Sequence, residues 1–337
     1  MANHSPKPIR CKAAVCRAAG EPLTIEEVVV DPPKAFEIRI KIVCTSLCHS
    51  DITFWRGKAT FPRILGHEAY GVVESVGEQV EGFAAGDTVV PTFLGQCDRC
   101  PGCASEHNNV CTTVPFVFGP GMRRDGTSRF RDAQGNPVHD LVAVSSFSEY
   151  TVVDVNQVVK IDPAVPPKLA CLLSCGAGTG VGGAWRAAKV EPGSSVVIFG
   201  LGSVGLAEIG KLTGGGADYS FECIGVSSVM TDAFNCTRPG KGKTIILGLE
   251  KNNDPISLPS LDLLSGKCVM GSFFGGIKPK TDIPILAKKC MNKELELDGL
   301  VTHEVGLQEI NKAFDLLLQG KSLRCIIWMD KGSGHGR

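Results

Sequence analysis

The chain has 337 residues, enough for about two domains and a large buried core. Its 35 basic residues balance its 35 acidic ones, which argues against nucleic acid or an acidic membrane surface as partner, because both select a basic patch. The 40 glycines suit tight turns and close backbone approaches, not a helical bundle.

Met1 to Cys16 carries Lys7, Arg10 and Lys12 but no apolar run, so neither a signal peptide nor a membrane span is expected. Of 15 cysteines, four crowd between Cys97 and Cys111 and most others are scattered singly. In a large neutral chain this pattern predicts a cytoplasmic protein whose thiols are reduced or bound to metal.

Strands are predicted at Ala13–Val15, Glu26–Val30, Glu37–Val43, Gly71–Val76 and Thr88–Val90, where β-branched residues concentrate between Gly- and Pro-bearing breaks. Val114 to Asp140 is polar, glycine-rich and punctuated by proline, and reads as a long surface loop. Ser148–Val153 and Val158–Ile161 read as strands again. The pattern then changes. Ser195–Phe199 is a short apolar run bounded by glycine, as a buried parallel strand would be, and Lys243–Leu247 is another. Leu307, Ile310, Ala313, Phe314, Leu317 and Leu318 share one helical face, with Gly320 as the stop. The tail Gly332–Arg337 is predicted to be disordered. Strands first and strand–helix alternation later imply a β-rich domain joined to an α/β domain.

The spacing Cys97-x2-Cys100-x2-Cys103-x7-Cys111 predicts a structural zinc site. Zinc takes four thiolates in a tetrahedron, and a set of four closes the shell against substrate. The alternatives are reduced cysteines without metal, or an iron–sulfur cluster, which also uses four thiolates. Three further stretches carry ligand-type residues: Cys44 to Asp51, Gly66-His67-Glu68, and Leu173 to Gly176. Singly, each has a plain reading, since a lone cysteine is usually a small buried hydrophobe.

Cys48-His49-Ser50-Asp51, Gly66-His67-Glu68, the four-cysteine cluster, Cys175 and Gly200-Leu201-Gly202-Ser203-Val204-Gly205 follow one another in that order. As a set they resemble the zinc-dependent medium-chain alcohol dehydrogenases, close to the plant alcohol dehydrogenase-like members. Ser145–Val153, Ala170–Gly180, Lys278–Ile285 and Ser322–Met329 also look like plant versions.

The resemblance implies an α/β-plus-β fold. A GroES-like catalytic domain would span residues 1–175, completed by 274–337, and a shortened Rossmann-type doubly wound parallel sheet would span 176–273. It implies two zinc ions per chain and NAD as cofactor. Cys48, His67 and Cys175 would hold the catalytic zinc, with Asp51 orienting His67 and Glu68 close behind the metal. Ser50 would take the alcohol proton, His49 would meet the cofactor pyrophosphate, and Phe93 and Phe147 would wall the substrate pocket. Ile224, Leu247, Gly248, Leu249, Phe274 and Arg324 match positions that line the nicotinamide side or reach the phosphates. A small alcohol or aldehyde is the implied substrate and a homodimer the implied assembly. A glutathione-linked formaldehyde dehydrogenase and a non-catalytic zinc-stabilised scaffold are the competing readings.

Gly200-x-Gly202-x-x-Gly205 follows the apolar run ending at Phe199, where a dinucleotide-binding turn belongs. That motif needs an acid about 20 residues on for the ribose, and Glu222 qualifies by counting alone. By resemblance, however, Gly214 to Gly225 looks like the fourth Rossmann strand. The second and third strands and the ribose-binding acid would then be missing, roughly 45 residues or one and a half βαβ units. Val196–Phe199 is then expected to become an exposed apolar edge, unless Tyr219–Glu222 takes the second strand's place.

Overall fold

The computed structural model describes residues 6–57, 60–200, 215–250 and 252–330. The predicted disorder of Gly332–Arg337 therefore lies outside the described residues. The chain divides into two compact units, Met1–Ala177 with Lys278–Arg337, and Gly178–Ile277. The strands, in chain order, are β1 (Ile9–Cys16), β2 (Thr24–Val30), β3 (Glu37–Ser46), β4 (Arg63–Ile64), β5 (Glu68–Val76), β6 (Thr88–Pro91), β7 (Phe130–Arg131), β8 (Pro137–Val138), β9 (Tyr150–Asp154), β10 (Val158–Lys160), β11 (Val196–Phe199), β12 (Tyr219–Glu222), β13 (Lys243–Ile246), β14 (Cys268–Gly271), β15 (Val301–Gly306) and β16 (Arg324–Trp328).

The first unit is built on two sheets. One runs β10-β6-β5-β3-β16-β15, with β9 also paired to β3; the other runs β4-β1-β2-β7-β8. Alternation explains the first: Ile38, Ile40 and Ile42 of β3 share a face and pack with Val73, Val89 and Val153. The larger core gathers Ala13, Val15, Ile64, Phe147, Ile310 and Phe314. The amphipathic helix Ile310–Leu318 buries Ile310, Ala313, Phe314 and Leu317, and Gly320 follows it in a left-handed turn.

The segment Val114–Asp140 is not simply a surface loop. It contains the β7–β8 hairpin, which extends β2, and it buries Met122, Phe130 and Val138. Its polarity misleads because its charges are satisfied internally. Arg129, only 2% exposed, pairs with Glu37 and with Asp125 at 2.9 Å. Polar residues enter a core when every donor and acceptor finds a partner.

The second unit holds a four-stranded parallel sheet in the order β11-β12-β13-β14. One face packs Tyr219, Phe221 and Ile245 against Ala188, with Ala184, Ala187 and Val190 alongside. On the other face, Ser220 Oγ donates to the Ala233 carbonyl of helix Ser227–Asn235 at 2.7 Å. β11 pairs only with β12 among the described residues, residue for residue from Val196↔Tyr219 to Phe199↔Glu222. No described strand pairs with its other edge, and Val196 is 41% and Ile198 54% exposed.

Candidate metal centres and active site

The lobe around Cys97–Cys111 folds so that backbone amides point at sulfur. Cys100 N–H donates to Cys97 Sγ at 3.3 Å, Cys103 N–H to Cys100 Sγ at 3.4 Å, Thr112 N–H to Cys100 Sγ at 3.3 Å and Val114 N–H to Cys111 Sγ at 3.4 Å. Such donors stabilise thiolates. Burial works against ionisation of Cys100, yet its hydrogen bonds with Thr112 and Cys103 bring its thiol down to about 5. All four sulfurs lie within 4.8 Å of one another, with Cys100 Sγ and Cys111 Sγ 3.9 Å apart. Zinc–sulfur bonds of about 2.3 Å in a tetrahedron put sulfurs about 3.8 Å apart, so the donor set fits zinc. Lys278 braces the lobe from far down the chain, donating from Nζ to the carbonyls of Cys103 and Ser105 at 2.8 and 2.7 Å. Gln96 joins the same brace, accepting from Lys280 N–H at 2.8 Å and donating to Thr281 Oγ1 at 2.9 Å.

The second cluster joins three separate stretches. Cys48 precedes helix His49–Arg56, His67 lies between Gly66 and β5, and Cys175 follows helix Pro167–Leu172. Ligand atoms of Cys48, His67, Glu68 and Cys175 all lie within 4.8 Å of one another, and all four residues are buried. Asp51 ties the first two stretches together. Its Oδ2 accepts from Cys48 N–H at 3.0 Å, while its Oδ1 accepts from Gly66 N–H and meets His67 Nδ1, each at 3.0 Å. The carboxylate thus caps the helix and fixes the imidazole with its proton on Nδ1, leaving Nε2 for a metal. Gly66 is required here: at φ 92° its backbone is left-handed, and a Cβ would sit 2.5 Å from the Phe147 ring.

The Cys48 thiol is drawn well below the usual range, first by its hydrogen bond from Cys175 and then by Arg324, against burial. Cys175 is pushed the opposite way by the same bond and by burial. Burial pushes His67 down, but Asp51 holds its pKa well above the ordinary value. Glu68 is raised to about 7 by burial, with Arg324 opposing the shift. Its Oε1 accepts from Gly176 N–H at 3.1 Å, and its Oε2 faces Arg324 Nε at 3.4 Å as an ion pair without hydrogen-bond geometry.

The remaining expected site residues fall into three groups. Ser50 is half-buried with Oγ 3.9 Å from Cys48 Sγ, His49 is exposed at the helix start, and the Phe93 ring stands edge-on to His67 at 6.2 Å. Phe147 is different. It is fully buried and packs edge-on to Phe314 at 6.2 Å, so it is a core residue and not a pocket wall. Arg324 turns its guanidinium to Glu68 and to Cys48 Sγ, 3.9 Å from Nη2, with a fifth of its side chain exposed.

In the second unit, Gly200 ends β11 at φ 148°, a conformation that favours glycine. Leu201, Gly202, Ser203, Val204 and Gly205 lie outside the described residues. Ile224 is exposed just past β12, and Leu247, Gly248 and Leu249 are half-buried just past β13. These are the carboxyl ends of parallel strands, where open α/β sheets bind ligands. Phe274 is buried in a left-handed turn at φ 54°. Glu222 is fully buried, and its Oε1 accepts from the amides of Ile224 and Gly225, both at 2.8 Å. It closes its own loop and offers no exposed carboxylate to a ribose.

The sequence reading missed Phe54, Phe116, Phe118 and Arg63, which form an aromatic series with a buried cation at its end. It also missed the Gln96–Lys278–Thr281 brace. Neither has a local spacing signal, because each is assembled from distant segments.

The family model described as Alcohol dehydrogenase GroES-like domain matches residues 34–163, and that described as Zinc-binding dehydrogenase matches 192–292. Alcohol dehydrogenase-like 2 of Arabidopsis thaliana is 53% identical over 377 aligned residues, covering 96% of this chain and 98% of the relative. The aligned span is longer than this chain, so part of that relative faces no residue here. Among solved structures, an alcohol dehydrogenase zinc-binding domain protein from Burkholderia ambifaria is similar with a TM-score of 0.87 and 29% identity, covering 96% of this chain and 100% of its own. Benzyl alcohol dehydrogenase from Acinetobacter calcoaceticus is similar with a TM-score of 0.83 and 25% identity, at the same coverages.

Proposed function

The chain belongs to the zinc-dependent medium-chain alcohol dehydrogenase family, and from that premise we propose that it oxidises an alcohol to an aldehyde or ketone by hydride transfer to NAD. The observation that carries this reading is the buried set Cys48, His67 and Cys175, oriented by Asp51 and separate from the four-cysteine lobe. Three protein ligands leave a position open for substrate, whereas four thiolates close it.

Zinc bound by Cys48, His67 and Cys175 would supply a Lewis acid that lowers the pKa of an alcohol. The protein's part is positional. Asp51 holds His67 in one tautomer. Ser50, beside Cys48, has a hydroxyl placed to accept the alcohol proton, and exposed His49 can pass it to solvent or meet a cofactor phosphate. Arg324 faces both Glu68 and Cys48, and its cation opposes the negative charge of the carboxylate and the thiolates. Ile224 and Leu247–Leu249 offer apolar surface to a nicotinamide ring, with Gly200 beginning the phosphate turn.

The cofactor domain is read as shortened. The relative's excess aligned length and the open edge of β11 both support this. A homodimer belongs to the same reading, supported by Leu261 and Leu264, which are 74% and 84% exposed; light scattering tests it. The function is tested by titrating zinc-loaded protein with NADH, followed by fluorescence, and by assaying alcohols with and without glutathione. Binding with turnover of free alcohols is the expected result. Turnover only with glutathione and formaldehyde would move the activity to the glutathione-linked class. Neither binding nor turnover would leave a zinc-stabilised scaffold.

A further inference from the structure

The ring of Phe93 stands edge-on to the His67 imidazole at 6.2 Å, so whatever holds Phe93 shapes the space beside a candidate metal ligand. Phe93 comes just after β6, which ends at Pro91. The backbone there is gripped by Gln157, the last residue of the short 3-10 helix Val155–Gln157. Gln157 is 1% exposed. Its carbonyl accepts from Thr92 N–H at 2.7 Å. Its side-chain Nε2 donates to the Thr92 carbonyl at 3.0 Å and to the Val142 carbonyl at 3.3 Å, and reaches the Phe93 carbonyl at 3.5 Å. An amide nitrogen has two hydrogens, so the third contact shares one of them. Oε1 is buried and finds no partner among the described residues. The amide is thus oriented by its donors alone, since turning it over would set its oxygen against three carbonyl oxygens.

Val142 belongs to a segment of unusual backbone. Val142, Ala143 and Ser145 have φ of 47°, 57° and 51°, left-handed values that are costly for a residue with a Cβ and most of all for a β-branched one. Such a segment persists only where its surroundings over-determine it. Here Asp140 Oδ2 accepts from Ala143 N–H at 2.7 Å. Ser145 Oγ accepts from Leu141 N–H at 2.8 Å and donates to the Ile64 carbonyl at 3.0 Å, and Thr151 Oγ1 donates to the Val144 carbonyl. The segment then runs beside His67. Ser146 N–H donates to the Gly66 carbonyl at 2.9 Å, and Phe147 N–H to the Leu65 carbonyl at 3.0 Å. Gln157 therefore joins two backbones that flank one imidazole, the first carrying Phe93 and the second registered on Gly66.

We propose that Gln157 is a positioning residue for substrate fit: by tying Thr92 to Val142 it fixes Phe93 against His67 and so sets the width of the space that the carbon chain of an alcohol enters. This rests on the reading of Cys48, His67 and Cys175 as the reacting centre. Gln157 acts through the backbone of Thr92 and Phe93. A wall held in place favours a slim alcohol over one with a ring on its carbinol carbon. Gln157→Met keeps the length of the side chain and removes its donors. Because Oε1 has no partner, that substitution forfeits only the donated bonds.

The test compares the zinc-loaded native chain with Gln157→Met and with Gln157→Asn, which keeps the amide on a shorter stem. Ile40→Val, a change in the separate core cluster of β3, is the control for lost stability alone. One readout is the nuclear magnetic resonance of the His67 ring in chain carrying isotope-labelled histidine, since ring protons sense an aromatic neighbour. The other is the ratio of kcat/KM for ethanol to that for benzyl alcohol. The His67 resonances should move in both Gln157 variants and stay in place in Ile40→Val. The ratio should fall about threefold to tenfold, the worth of one neutral hydrogen bond, chiefly through a higher KM for ethanol. Should the methionine variant not fold, the asparagine variant decides on the same readouts. An unmoved His67 resonance, the same displacement in Ile40→Val, or an unchanged ratio in an active Gln157 variant overturns the proposal. Displaced resonances, with a native chain that turns over neither alcohol, support the grip on Phe93 and overturn the reacting centre.

Discussion

β3 and β11 are both apolar strands, but their surroundings differ. β3 is flanked by β5 and β9 on its length and by β16 at its end, and Ile38, Ile40 and Ile42 are at most 1% exposed. β11 has one neighbour among the described residues and exposes Val196 and Ile198. Both candidate metal clusters belong to the unit that contains β3, and β11 belongs to the other unit. The contrast teaches that the candidate metal clusters rest on strands paired on both sides, whereas the strand before the proposed dinucleotide-binding turn is paired on one side among the described residues. An open apolar edge invites association with other chains.

The largest expected effect tests the closed side. Cys48→Ala should remove the catalytic zinc and abolish alcohol turnover, while Cys97, Cys100, Cys103 and Cys111 keep their ion. Metal analysis should fall from two zinc ions per chain to one, because the two shells share no ligand. Wild-type turnover by this variant would remove Cys48 from the site.

The next effect tests the open side. NADH should bind about 10–150-fold more weakly than to a full-length relative, the worth of one charged hydrogen bond to a ribose hydroxyl. Fluorescence titration of both proteins measures it. Equal affinity would mean that another group on this chain holds the ribose, and with Glu222 bound to its own loop, that group would have to be sought elsewhere.

Asp51→Asn sharpens the claim that one carboxylate positions both Cys48 and His67. Losing such a partner weakens metal affinity about 10–100-fold. Competition with a chelator should show that loss at the catalytic site only, with the four-cysteine lobe unchanged.

Two smaller effects concern β11. Ile198→Lys should leave stability within about 0.5 kcal/mol, as an exposed substitution does, and reduce self-association in light scattering. Unchanged self-association would show that the edge is not its cause. Asp218 ties β11 to the rest of its sheet, accepting from Ser195 N–H at 2.9 Å and Ser195 Oγ at 2.8 Å and pairing with Lys241 at 3.1 Å. These bonds hold its carboxyl well below the ordinary range. A depressed carboxyl contributes stability that is present above its unfolded pKa of about 3.9 and is lost as pH falls below it. Asp218→Asn should therefore flatten the acid limb of the stability profile. An identical acid limb in the variant would assign it to other carboxylates.

Local sequence determined a good deal of this. The Cys97–Cys111 spacing sufficed for a four-thiolate lobe, because ligands a few residues apart can reach one ion with only local turns. The alternation of Glu37–Val43 and the face from Leu307 to Leu318 sufficed for a strand and a helix, since those periods are properties of the backbone. Tertiary structure decided what local patterns do not contain. Polarity in Val114–Asp140 suggested solvent, but the pairing of Arg129 with Glu37 took the segment partly into the core. Phe147 matched a pocket wall by resemblance, but the turn at Gly66 and the packing of Phe314 made it core. The juxtaposition of Cys48, His67 and Cys175, and the grip of Gln157 on Thr92 and Val142, depend on which distant segments meet. That is set by the burial of whole sheets and by the long-range hydrogen bonds of groups such as Asp51, which no spacing along the chain encodes.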